Sequence, residues 1–166
     1  IMMGVGSMGD RLRPYGECDT FISTDAGLSW RMVARGPHKH VFADQGGLLV
    51  MAADAPSIDV VQYSFDYGTT WTTLALPEAI EPVVLTSVPD GTALKILLLG
   101  GRRAKTAHER YASMFIDFAV LSKRKCAQAD FERFYPATPH GSCVFGRRQW
   151  YLRRKAQADC FVRDKF

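Results

Sequence analysis

The chain has 166 residues, enough for one sizeable core plus an appendage but barely above the roughly 160 residues of a complete four-bladed propeller. Its net charge of +4 is unevenly distributed: residues 1–122 carry 10 Lys and Arg against 13 Asp and Glu, and residues 123–166 carry 11 against 4. Basic clusters such as Arg147-Arg148 can bind nucleic acid. Because no nucleic-acid motif accompanies them, we interpret the basic tail as the solvated face of a small cross-linked module and exclude nucleic acid as a partner.

Short apolar runs between turn residues predict a β-rich body. Turn residues recur about every ten positions, which is typical of an all-β sandwich or propeller. Residues 48–53 lack polar alternation, as expected for an inner strand buried on both faces. The best candidate for a helical turn is 130–135. The predicted strands cover residues 1–5, 21–23, 30–33, 40–43, 48–53, 60–64, 71–76, 82–88, 94–100 and 114–120. Because the first of these starts at Ile1, in mid-strand by its composition, we expect the chain to be a piece of a longer protein.

Two copies of the pattern S-x-D-x-G-x-x-W are the most informative feature. Their aspartates are 41 residues apart, a period found in propeller blades. In a tight hairpin, Ser and Asp side chains can bond the turn's N–H groups, Gly supplies a positive φ, and Trp covers the turn as an apolar lid. This Asp-box predicts propeller blades, with both tryptophans largely buried. Its structural residues are Ser23, Asp25, Gly27, Trp30, Ser64, Asp66, Gly68 and Trp71.

The candidate catalytic and cofactor motifs are weak. Gly4-Val-Gly6-Ser-Met-Gly9 matches a dinucleotide fingerprint, but Pro14 prevents the long helix that such a site needs. Asp-boxes also occur in sialidases and glycoside hydrolases, where paired carboxylates can be catalytic. The identical box context of Asp25 and Asp66 instead indicates two turn-capping residues. We therefore predict no catalytic or cofactor-binding residue and no enzyme. An Asp-box sialidase or glycoside hydrolase remains the alternative, and a purely adhesive propeller is a third interpretation.

Three of the four cysteines lie in the basic tail, where Cys126, Cys143 and Cys160 are spaced 17 residues apart. Since the chain has no C-x-x-C pair, a structural zinc site has little support, and we interpret His38 and His40 as an ordinary surface pair rather than metal ligands. The tail instead indicates a secreted or luminal disulfide module. Its odd number of cysteines requires a partner outside this chain or a free thiol.

Several segments together resemble the sortilin-type vacuolar protein sorting receptors, and most of all the fungal receptors that carry carboxypeptidase Y to the vacuole. The Asp-boxes alone are generic, but their combination with the cysteine-containing tail is specific. The resemblance covers nearly the whole chain. It rests on residues 4–9, 14–30, 45–47, 63–71, 126–136, 143–146 and 151–160.

The resemblance implies a mainly β fold. Residues 1–122 would be the last blades of a ten-bladed propeller, and residues 123–166 the truncated start of a cysteine-rich module. It also implies that Cys126 pairs with Cys160 and that Cys143 has its partner beyond Phe166. Cys18 is either free or paired within the propeller.

The function implied by the resemblance is that of a type I transmembrane receptor. It would bind soluble cargo such as vacuolar hydrolases in the late Golgi and deliver it to the endosome and vacuole. The membrane span would lie outside this chain. In animal relatives the known peptide contacts lie on middle blades, so we assign no cargo-binding residue. The histidines that could sense acidification are His38, His40, His108 and His140.

Overall fold

The computed structural model describes residues 1–102, 111–136 and 146–163. It is mainly β, as expected. The first sheet has the order β1-β2-β3 and the second has the order β4-β5-β6-β7-β8-β9, while β10 and β11 form a separate hairpin. No helix among the described residues is long and apolar enough to cross a membrane. The strands are β1 Met2–Gly6, β2 Asp19–Ser23, β3 Arg31–Ala34, β4 His38–Ala43, β5 Leu48–Ala53, β6 Ile58–Ser64, β7 Thr72–Thr86, β8 Lys95–Gly101, β9 Tyr111–Asp117, β10 Phe131–Phe134 and β11 Tyr151–Arg154.

All strand pairs within the sheets are antiparallel, and the Asp-boxes connect equivalent strands. The first box joins β2 to β3 and the second joins β6 to β7. Strands β1, β2 and β3 therefore correspond to β5, β6 and the first half of β7. This repetition confirms the propeller-blade pattern.

Strand β7 is long because it serves two blades. Its first half pairs with β6, with Tyr63 opposite Thr72, and its second half pairs with β8, with Leu85 opposite Leu98. Where the strand passes from one partner to the other, Gly100 of β8 lies so close that an added Cβ would be 2.7 Å from Ile80 Cδ1. Only glycine fits this crossing without displacement.

The main hydrophobic core lies between the blades of the second sheet. Leu48 and Val50 of β5 lie in this core, and Leu49 lies in a smaller cluster with Ile22. All three residues of β5 are fully buried, which confirms the prediction of an inner strand. Side chains from β6, β8 and β9 complete this core, and Phe161 of the tail enters it with no exposed surface. The tail is thus part of the folded unit that the blades form.

Two local predictions were wrong. Residues 130–135 do not form a helical turn: a 3-10 turn at Gln128–Asp130 is followed by strand β10, because Phe131 and Phe134 pair with Arg154 and Tyr151 of β11. The strand predicted at 114–120 ends earlier, at Asp117. There the Asp117 side chain accepts a hydrogen bond from Ala119 N and begins the 3-10 turn Phe118–Leu121.

Candidate functional site

In the first Asp-box, side chains replace the missing backbone partners of a tight turn. Ser23 Oγ accepts a hydrogen bond from Gly27 N at 2.8 Å and donates to Asp25 Oδ1 at 2.8 Å. The Asp25 carboxylate also accepts from Ser29 N at 2.9 Å and Ser29 Oγ at 2.6 Å. Trp30 Nε1 donates to Gly27 O at 3.1 Å. Gly27 has φ +92°, the left-handed region that the hairpin requires.

The second box repeats this geometry. Ser64 Oγ accepts from Gly68 N at 2.9 Å, and Asp66 accepts from Thr70 N at 2.9 Å and Thr70 Oγ1 at 2.6 Å. Trp71 Nε1 donates to Gly68 O at 3.1 Å. Every one of these contacts has an equivalent in the first box.

Hydrogen bonds keep both box carboxylates ionised. Bonds from the Ser29 side chain and backbone, followed by one from Ser23, lower the pKa of Asp25 to about 2. At Asp66 partial burial acts in the opposite direction, but the bonds from Thr70 and Ser64 outweigh it and lower the pKa. A general acid needs a raised pKa, so these carboxylates suit turn capping rather than proton transfer.

The two boxes differ in their burial. Trp71 packs against the smaller hydrophobic cluster that contains Ile22, and Arg31 Nη2 donates to Gly68 O at 2.9 Å. Trp30 is 45% exposed, so the prediction that both tryptophans are largely buried was wrong for Trp30. The reason is that the first sheet covers the second box, whereas within the described residues no sheet precedes the first.

The second box also contacts the cysteine-linked segment, residues 123–166. The Phe65 and Phe161 rings lie 5.7 Å apart, Lys123 Nζ is 4.4 Å from the Phe65 ring centroid, and Tyr67 Oη donates to Arg154 O. The equivalent positions of the first box are Thr24 and Ala26. Two aromatic residues at the variable positions of a box are a sequence signal for this contact, although the motif itself does not predict it.

Arg154 is the central residue of this junction and is only 3% exposed. Its guanidinium donates to Cys160 O at 2.6 Å, to Gly47 O at 2.8 Å and to Phe65 O. These carbonyls belong to the tail, the β4–β5 turn and the second box. One buried side chain therefore links three segments, while its Nε has no partner in the part of the chain that the structure describes.

Asp44 supports the same junction from the β4–β5 turn. It is fully buried, and its carboxylate accepts hydrogen bonds from Val162 N at 3.0 Å and Arg163 N at 2.8 Å. Burial raises the pKa of Asp44, although these two bonds and the positive charge of Arg154 act in the opposite direction. Neither Asp44 nor Arg154 was among the residues singled out from the sequence.

A disulfide between Cys126 and Cys160 encloses this segment, with their Cα atoms 5.0 Å apart. It is the pair that the family resemblance implies. Asp130 lies beside these sulfur atoms, but both sulfurs are committed to the disulfide and offer no thiolate to a metal. Cys18 is a buried free thiol, and its Sγ donates to Pro14 O at 3.5 Å. Cys143 lies outside the described residues.

The histidines of β4 are half-buried rather than on the surface. His38 Nδ1 lies 3.1 Å from both Thr20 Oγ1 and Gly36 O, so one ring nitrogen already has partners. The His40 ring packs edge-on against Phe42, and burial lowers the His40 pKa. The other two histidines considered as acid sensors, His108 and His140, lie outside the described residues.

Three basic residues of the tail form ion pairs within it. Arg124 contacts Asp130 at 2.6 Å, Arg153 contacts Glu132 at 2.7 Å, and Lys123 forms an ion pair with Asp159. These pairs fit the solvated face of a cross-linked module.

A groove of about 410 Å³ lies between the second box and the β10–β11 hairpin. Its apolar lining includes Phe42, Tyr67, Phe131 and Tyr151, and among the residues that the structure describes no carboxylate or histidine lines it. Its described lining is therefore aromatic and basic rather than acidic.

Comparison with known proteins agrees with this architecture. Residues 1–85 match the family model described as "Sortilin, neurotensin receptor 3", and residues 87–166 match its C-terminal counterpart. The whole chain is 48% identical to a "Vacuolar protein sorting/targeting protein 10" of Mycosarcoma maydis and 42% identical to one of Emericella nidulans. It spans only 11% and 12% of the length of these relatives.

Proposed function

This chain belongs to the sortilin family, and we propose that it is a luminal segment of a type I transmembrane receptor that sorts soluble cargo. Residues 1–122 would be the last blades of the ten-bladed propeller, and residues 123–166 the beginning of the cysteine-rich module. One observation carries this proposal: two Asp-box hairpins are followed by a disulfide-closed segment docked on the second box. Relatives whose names state sorting and targeting are similar in sequence over the whole of this chain.

The cargo would be soluble protein such as vacuolar hydrolases, bound in the late Golgi and released in the endosome on the way to the vacuole. A membrane span elsewhere in the full-length protein would connect this luminal part to the sorting machinery. The sorting function of the named relatives supports this route. We assign no cargo-binding residue, cofactor or nucleic acid to the segment.

A receptor role explains the tail better than an enzymatic one does. A hydrolase would need carboxylates free to exchange protons, whereas Asp25 and Asp66 are both committed to their hairpins. Arg154 and Asp44 are likewise committed, because they fasten the cysteine-linked segment to the blades. We therefore propose that the segment is not catalytic.

The test is a cell in which the gene of the full-length protein is deleted. We expect that cell to secrete a vacuolar hydrolase such as carboxypeptidase Y, which is measured by immunoblot of the medium. Re-expressing the intact protein should restore retention, and so should the Gly4→Ala variant, because a Cβ at Gly4 meets no atom within 4 Å. Normal retention of vacuolar hydrolases in the deleted cell would contradict the proposal.

A further inference from the structure

Adjacent basic residues occur at several places in the described chain, and two of these stretches are tied into the fold by hydrogen bonds. In Lys123-Arg124-Lys125, Arg124 is held by both Asp130 oxygens at 2.6 and 2.7 Å, and its carbonyl accepts a hydrogen bond from Phe161 N. In Arg153-Arg154-Lys155, Arg154 is buried in the junction and belongs to strand β11. The buried Arg154 closes 153–155 to a protease while the tail is folded, whereas Arg124 and Lys125 are exposed but Arg124 is tied down through both its side chain and its carbonyl.

Arg147-Arg148 is different. Both residues are exposed, and residues 148–150 lie outside any strand or turn. The preceding Gly146 is in a turn with φ +75°. Arg148 stacks on the Tyr135 ring at 4.1 Å, and no carboxylate pairs with either arginine among the described residues. An exposed stack of this kind is weak and can open readily.

Two successive exposed arginines, the first in a single β-bridge and the second in irregular backbone, are what a dibasic-specific serine endoprotease recognises. Such an enzyme has acidic pockets for two neighbouring basic side chains and needs the substrate backbone in an extended form. Cleavage sites of this kind concentrate in exposed loops. We propose that the peptide bond between Arg148 and Gln149 is a processing site for a dibasic-specific serine endoprotease of the secretory pathway.

The reaction is a hydrolysis. Water supplies the oxygen of the new Arg148 carboxylate, and the Gln149 nitrogen takes a proton to become a new amino terminus. The compartment in which substrate and protease meet rests on the proposed function, whereas the accessibility of the bond rests on the structure alone.

The location of the bond determines what the product is. The Cys126–Cys160 disulfide spans it, so the two pieces stay covalently linked after cleavage. They also stay paired through β10 and β11, and Arg154 still fastens the second piece to the blades. The product is a two-chain receptor whose junction with the second box is intact.

The experiment is electrophoresis of the full-length receptor isolated from its own cells, with and without reducing agent, followed by amino-terminal sequencing. We expect one band without reductant, two fragments after reduction, and a fragment that begins at Gln149. The double variant Arg147→Ala and Arg148→Ala should lose at least nine tenths of the cleaved form. Arg11→Ala with Arg13→Ala is the matched control, because it removes two exposed arginines elsewhere and should be cleaved normally.

A receptor that remains one continuous chain after reduction would overturn the inference, as would cleavage within 123–125 or 153–155 or cleavage that survives the double variant. Hydrolase retention is measured separately in the same cells. A cleaved receptor that retains no hydrolase would contradict the proposed function and leave the processing site standing.

Discussion

The variable positions of the first Asp-box are occupied by Thr24 and Ala26, both exposed, whereas those of the second are Phe65 and Tyr67, which contact the cysteine-linked segment. The hydrogen bonds that hold the two hairpins are otherwise equivalent. The two boxes thus share the turn and differ at the variable positions. This difference gives the second box a further role, which is to contact the cysteine-linked segment. The same motif closes a hairpin in one blade and provides a docking surface in the next.

The largest loss in the free energy of unfolding should come from removing the side chain that joins the second box to the tail. Arg154→Ala leaves several buried carbonyls without a donor and Asp44 without its neighbouring positive charge. Losses of about 3–5 kcal/mol are usual when a buried charge loses its partner. Urea unfolding of the full receptor measures the change in the free energy of unfolding.

Arg153→Ala is the matched control for this change. Arg153 is a neighbouring arginine in a partly exposed ion pair with Glu132, so we expect a loss of no more than about 1 kcal/mol. Equal losses in the two variants would mean that the buried contacts of Arg154 do not hold the tail.

Replacing the two tryptophans by alanine should reduce the stability of the protein by unequal amounts. Trp71→Ala removes a ring packed between the blades and should cost about 3–5 kcal/mol, the range for large-to-small core substitutions. Trp30→Ala should cost about 1–2 kcal/mol, because 45% of the residue is already exposed. Thermal unfolding of both variants under the same conditions gives the comparison. Equal losses would show that Trp30 is covered by another surface in the full receptor.

A smaller effect is expected at the hydroxyl of Tyr67. Tyr67→Phe removes one hydrogen bond to Arg154 O, worth about 1 kcal/mol, and leaves the ring in place. Tyr63→Phe is the control, because its ring packs on Phe118 beside the same box and, among the described residues, it makes no comparable hydrogen bond to the tail. The measurement is the rate at which a nonspecific protease cuts within residues 150–163. Tyr67→Phe should accelerate this cleavage, and identical rates in the two variants would remove the hydroxyl from the docking contact.

The smallest effects concern pH. Folding lowers the pKa of Asp25 and Asp66 from 3.8, so their contribution to stability is present above that value and is lost only as the pH falls through their folded pKa. Both boxes should keep their stability between pH 7 and about pH 5. Urea unfolding across this interval, compared between the wild type and Asp66→Asn, checks that the boxes add no pH dependence there.

The contribution of Asp44 to stability should depend on pH in the opposite direction. Burial raises its pKa above 3.8, so its contribution is greatest at acidic pH and is lost as the pH rises through the folded pKa. After correction for the intrinsic exchange rate, the backbone amides of residues 160–163 should therefore exchange more slowly at acidic pH than at neutral pH. The variant Asp44→Asn should abolish this difference, and a tail that loosens on acidification would contradict the assignment.

Local patterns were sufficient to predict the strands of the blades and both Asp-box hairpins, but not the β10–β11 hairpin. Apolar runs and turn residues indicated β5 and the arms of both boxes, because strand burial and turn conformation depend on neighbouring residues. The helical turn expected at 130–135 was wrong because Phe131 pairs with Arg154 of a strand that comes much later in the chain. That pairing overrides the local preference.

The junction could not be predicted from local patterns. Arg154 lies within a basic run that suggests a solvated surface, and Asp44 lies in a glycine-containing turn where aspartate is ordinary. Only the tertiary arrangement places Arg154 beneath the second box and Asp44 against Val162. The exposure of Trp30 could not be predicted either, because two boxes with the same motif do not indicate which neighbouring residues cover them.

The most direct test of the docking role of the second box is a double-mutant cycle between Phe65 and Phe161, each changed to Ala singly and together. We expect a coupling of about 0.5–1.5 kcal/mol, as measured for aromatic pairs, because the two rings lie 5.7 Å apart. The matching cycle between Thr24 and Phe161 should be additive within about 0.5 kcal/mol. Additive losses for Phe65 and Phe161 would contradict the account, since the second box would then be no more than a hairpin.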